Sequence, residues 1–66
     1  MKIKVNGAER ALEGAPTLQS LLDTFGTPAK RCAVELNGEI VPTAALWATT
    51  LKEGDRIEII QFVGGG

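Results

Sequence analysis

The chain has 66 residues, 44% of them hydrophobic and 23% charged, with seven basic side chains against eight acidic ones and a formal net charge of −1. A chain of this size forms one domain with little room for an enclosed pocket, and its composition is globular and not disordered. It offers no basic stripe to a nucleic acid, no second cysteine for an internal disulfide, and no histidine to build a metal cluster around Cys32.

Lys2-Ile3-Lys4-Val5 alternates polar and apolar residues, the period of a half-buried strand. This start lacks the apolar core of a signal peptide, and no run approaches the ~20 apolar residues that span a bilayer. With a single cysteine, these features point to a reducing, cytoplasmic setting and no membrane partner. Asn6-Gly7 predicts a tight turn, because both residues tolerate positive φ, and Glu9 to Glu13 reads as a weaker return strand. Gly14-Ala15-Pro16 breaks the pattern. Thr17 then predicts a helix N-cap, since its hydroxyl can accept from a free first-turn N–H. Leu18, Leu21, Leu22 and Phe25 follow at helical spacing, Gly26 suits the C-terminal cap, and Pro28 prevents continuation.

Val34 and Leu36 mark a third strand, Asn37-Gly38 a second turn, and Glu39-Ile40-Val41 a short strand that Pro42 ends or places at an edge. Thr43 to Thr50 has room for one helical turn, with Leu51 packed behind it. Trp47 is read as a core or edge filler. After the turn Glu53-Gly54-Asp55 comes the strongest strand, Arg56 to Phe62, whose apolar content predicts a central position. The order β-β-α-β-β-β is that of an α+β layer, a mixed sheet of about five strands with one main helix on one face.

Three features could carry chemistry. The first is the end Phe62-Val63-Gly64-Gly65-Gly66. Its plain reading is a frayed terminus or an expression scar. Its functional reading is a backbone narrow enough to enter a channel, carrying an unhindered carboxylate. A carboxylate needs activation before a nucleophile can attack it, and the chain has no phosphate-binding loop to supply that, so a partner enzyme must. The second feature is the last strand. Ile57 and Ile59 share one face, while Ile60 and Phe62 share the other with Arg56 and Glu58. One helix covers one face, so Ile60 and Phe62 are expected to be exposed as a docking patch, unless a bulge or the Thr43–Leu51 segment covers them. The third is Cys32. Lys30 and Arg31 beside it would favour a thiolate able to accept a persulfide, but an ordinary small residue near the start of a strand is the expectation. Glu53 and Asp55 are turn residues without a pocket for acid–base work.

The element order, Val5-Asn6-Gly7, Leu36-Asn37-Gly38-Glu39-Ile40-Val41-Pro42, and Glu53-Gly54-Asp55 through Gly66 together resemble the ubiquitin-like β-grasp sulfur carriers of thiamine biosynthesis, the ThiS family. The resemblance implies a β-grasp domain over residues 1–63 and a flexible tail over 64–66. It implies no bound cofactor and no catalysis by the chain itself. A ThiF-type adenylyltransferase would use ATP to adenylate the Gly66 carboxylate. Sulfur from a cysteine desulfurase route would then displace AMP, and a ThiG-type thiazole synthase would consume the thiocarboxylate. Ile60, Phe62, Val63, Gly64 and Gly65 would meet these partners. Alternatives are the small subunit of molybdopterin synthase, a ubiquitin-like modifier joined to lysines through Gly66, and a plain β-grasp binding module.

Overall fold

Two Asn-Gly pairs set the geometry of the sheet. Asn6 and Asn37 have φ of 51° and 53°, and Gly7 and Gly38 follow at 84° and 88°. Two successive positive φ values give a two-residue turn whose twist matches that of the strands it joins. In the computed structural model, which describes residues 1–62, these turns close β1 (Lys2–Val5) onto β2 (Ala8–Ala11) and β3 (Cys32–Leu36) onto β4 (Glu39–Val41). The expected return strand Glu9–Glu13 starts one residue earlier and stops at Ala11. Its ladder ends there on a bond from the Leu12 N–H to the Met1 carbonyl.

The helix α1 (Leu18–Phe25) is held at both ends. Thr17 Oγ1 accepts from the Ser20 N–H at 3.1 Å, and Ser20 Oγ accepts from the Thr17 N–H at 2.9 Å, a reciprocal cap. Gly26 ends the helix at φ 69°, where a side chain would be strained. Leu18, Leu21 and Leu22 point inward and are buried. Phe25, at the last turn, is half-buried under the Arg10 guanidinium, which lies 4.8 Å from the ring centre.

The strand β5 (Arg56–Gln61) occupies the middle of a five-stranded sheet of order β2-β1-β5-β3-β4, the central place its apolar content predicts. It runs parallel to β1, pairing Lys4 with Arg56 and Val5 with Ile57, and antiparallel to β3 from Cys32↔Gln61 to Leu36↔Ile57. Ile3, Val5, Val34 and Ile57 from the sheet meet the α1 leucines, Leu46 and Leu51 in one core. Burying a side chain of this kind stabilises by about 1.5–3 kcal/mol.

Thr43–Ala48 forms a 3-10 helix, a little longer than the single turn expected. It packs beside α1, where the Leu18 N–H bonds the Thr49 carbonyl at 3.0 Å and the Leu51 N–H bonds the Pro16 carbonyl at 2.8 Å. The segment therefore thickens the layer α1 already covers and leaves the opposite sheet face open. Trp47 departs from its expected role as filler, because it is 69% exposed. In a 3-10 helix each residue turns the chain by a third, so Leu46 takes the inward position and its neighbour cannot share it. A second 3-10 turn, Ala29–Arg31, leads into β3 and had no counterpart in the sequence reading.

Candidate functional site

Alternation along β5 divides its side chains between two environments. Ile57 is buried and Ile59 half-buried against the core, while Arg56, Glu58 and Ile60 face outward. Ile60 is 51% exposed. Phe62 continues the outward row at 62% exposed, and its N–H still bonds the Arg31 carbonyl at 2.9 Å. The expected patch is thus present, uncovered by any described segment. Val63, Gly64, Gly65 and Gly66 lie outside the described residues.

Two neighbours on this face were not singled out in the sequence reading. Ile40, 72% exposed, stands opposite Glu35, and Glu35 stands opposite Glu58 across β3 and β5. The outer face therefore carries apolar side chains at Ile60, Phe62 and Ile40 with two facing carboxylates among them. The signal was available: a two-residue turn at Asn37-Gly38 fixes the register, and the register places Ile40 beside Glu35.

The side-chain amides of the two Asn-Gly turns also converge on β5. Asn6 Oδ1 accepts from the Ile59 N–H at 2.7 Å, and Asn6 Nδ2 donates to the Ile59 carbonyl at 3.3 Å. At the other end of the strand Asn37 Oδ1 accepts from the Arg56 N–H at 3.0 Å, and Asn37 Nδ2 donates to Asp55 Oδ1 at 3.0 Å. Asp55 is buried and its second oxygen accepts from the Lys52 N–H at 2.8 Å. Its carboxylate is thus consumed in shaping the turn, and Glu53 likewise accepts from the Lys2 N–H at 3.0 Å.

Cys32 is buried on the core side of β3, its thiol 3.8 Å from the Ala29 carbonyl. Burial pushes the thiol pKa up from its ordinary value, and Lys30 and Arg31 project into solvent without offsetting this. The small-residue reading holds, and a persulfide acceptor finds no support. A recess of about 520 Å³ lies between the first hairpin, the end of α1 and β5, with Asn6, Arg10, Phe25, Thr27, Ile59 and Gln61 among its lining. Gln61 Nε2 donates to Thr27 Oγ1 across it at 3.3 Å. Its lining offers one cation and neither a thiol nor a carboxylate, so it holds no acid–base pair.

Comparison with known proteins gives this arrangement a setting. The ThiS family model matches residues 3–66. A thiazole synthase of Paramagnetospirillum magneticum is 39% identical over 66 residues, which is all of this chain and 20% of that protein. The chain spans the same one-fifth share of a thiazole synthase of Magnetococcus marinus. A sulfur carrier protein ThiS of Thermus thermophilus is 36% identical over 62 residues, covering 94% of this chain and 95% of that one. The crystal structure of a thiamine biosynthesis protein (ThiS) from Geobacter metallireducens superposes with a TM-score of 0.84 at 38% identity, over 100% of both chains. Likeness that extends through every strand of the sheet and on to residue 66 settles the kinship: the chain belongs to the ThiS family and has its ubiquitin-like β-grasp fold.

Proposed function

We propose that this chain is a sulfur carrier of thiamine biosynthesis, a co-substrate whose reacting group is the carboxylate of Gly66. A ThiF-type enzyme transfers AMP from ATP to that carboxylate and releases pyrophosphate. A persulfide sulfur supplied through a cysteine desulfurase then attacks the acyl carbon and AMP leaves. A thiol cleaves the remaining S–S bond, and the thiocarboxylate goes to a ThiG-type thiazole synthase. The observation that carries this reading is the outward pair Ile60 and Phe62 at the end of the central strand, four residues before Gly66. Four extended residues reach at most ~14 Å, so an enzyme that binds the patch has the carboxylate within a fixed radius. Relatives named thiazole synthase that contain a stretch like this chain favour thiazole over pterin as the destination of the sulfur.

The test is intact-mass measurement after incubation with ATP, the cognate adenylating enzyme and a sulfur source. One oxygen of the chain is replaced by sulfur, and the replacement disappears when Gly65 and Gly66 are deleted while the melting temperature is unchanged. Failure to gain sulfur with any cognate partner ends the carrier reading. Attachment to lysine amines in its place would make the chain a modifier. Complementation of thiamine against molybdopterin auxotrophs assigns the pathway.

A further inference from the structure

The parallel ladder between β1 and β5 pairs Lys4 with Arg56 and Val5 with Ile57 and stops at Asn6. Lys4 donates to the Asp55 carbonyl at 3.0 Å and Asn6 donates to the Ile57 carbonyl at 2.9 Å. Continued by the same rule, the Ile59 N–H would bond the main-chain carbonyl of residue 6, and the Ile59 carbonyl would receive the N–H of residue 8. The chain turns away at Asn6-Gly7 and cannot make either bond. The Asn6 side chain makes both in its place, at 2.7 and 3.3 Å. A primary amide presents the same carbonyl and N–H as a peptide group, so Asn6 lengthens the ladder by one residue without lengthening the strand.

We propose that Asn6 is a positioning residue for the carrier's reaction. It fixes Ile59 from the β1 side, and so holds the neighbouring Ile60, and through it Phe62, in the geometry the adenylating enzyme binds. This rests on the carrier reading above. Without Asn6, the backbone from Ile59 to Phe62 is held through Val34↔Ile59, Ala33↔Ile60, Cys32↔Gln61 and the Arg31 carbonyl, with the Gln61 side chain on Thr27 as the one other described tie. A partner must then order it on binding, which weakens the ground-state and transition-state complexes equally and raises KM without lowering kcat.

Asn37 supplies the control. It clamps the opposite end of β5, far along the strand from the patch, from the same turn type. Asn6→Gly and Asn37→Gly each keep the positive φ without strain and delete only the side chain. Steady-state ATP–pyrophosphate exchange with the cognate adenylating enzyme, varied in carrier, is read beside amide hydrogen exchange at Ile59 to Phe62. Asn6→Gly raises the carrier KM about fivefold to tenfold with kcat within about twofold, and speeds exchange at Ile59 and Ile60. Asn37→Gly leaves that KM within about twofold. Asn6→Asp keeps the acceptor for the Ile59 N–H and restores part of the loss. An unchanged KM for Asn6→Gly, or an equal rise for Asn37→Gly, overturns the proposal. Absence of exchange with the wild-type chain ends the carrier reading itself, and it is distinguished from both because the amide protection of Ile59 is measured without the enzyme.

Discussion

At Ile60 and Phe62 large apolar side chains stand in water, while Ile59 before them packs against the core and Gln61 between them bonds Thr27. Replacing both with threonine preserves strand preference and removes the apolar area, so stability changes by less than about 0.5 kcal/mol per site. If they are the docking surface, the carrier KM of the adenylating enzyme rises more than about tenfold. Kinetics and a melting curve on the double variant check both statements. Cys32 makes a different prediction. Its thiol pKa is raised above the ordinary 9.0 by burial, so the folded state holds the proton more tightly than the unfolded one. Stability from this group is complete below that value and is lost as pH rises through it, because the unfolded chain then binds fewer protons. The stability advantage of the wild type over Cys32→Ala accordingly narrows as pH rises above the thiol's ordinary value, as denaturant titrations at several pH values will read. At neutral pH the buried thiol reacts slowly with alkylating agents.

Among the elements, α1 was the most legible. Its four apolar positions, Thr17 and Gly26 each say the same thing, so periodicity and both caps agree. The hairpins were legible from Asn-Gly, whose left-handed preference requires no tertiary information. Thr43–Ala48 was legible only as a turn, and the exposure of Trp47 was not, because a short apolar run does not declare its own helical period. The cap makes a measurable contribution. Thr17→Ala leaves the Ser20 N–H without its 3.1 Å partner and lowers unfolding free energy by about 1 kcal/mol in urea titration. A loss near zero would mean that Ser20, whose Oγ accepts from the Thr17 N–H, stabilises the entry to α1 by itself.

On the scale of the molecule the core is one cluster fed by every layer. A 66-residue domain has about 3–10 kcal/mol of stability at typical per-residue values, and Leu21→Ala removes about 2–5 of it. The variant therefore unfolds at a much lower urea midpoint, or is unfolded without denaturant, as circular dichroism will measure. The central place of β5 was legible from its composition, but its parallel union with β1 was not. Those partners lie more than fifty residues apart in sequence, and strand character says nothing about which distant strand is the neighbour. The candidate site was half legible for a related reason. Period-two alternation placed Ile60 and Phe62 outward, whereas the Asn6 contact depends on where β1 ends relative to β5. The same arrangement has a mechanical meaning. A pull on the chain beyond Phe62 acts along β5, and the bonds to β1 and β3 lie across that direction. They are loaded together in shear and do not peel one after another, so tension applied at the end of the chain does not unravel β5 one bond at a time.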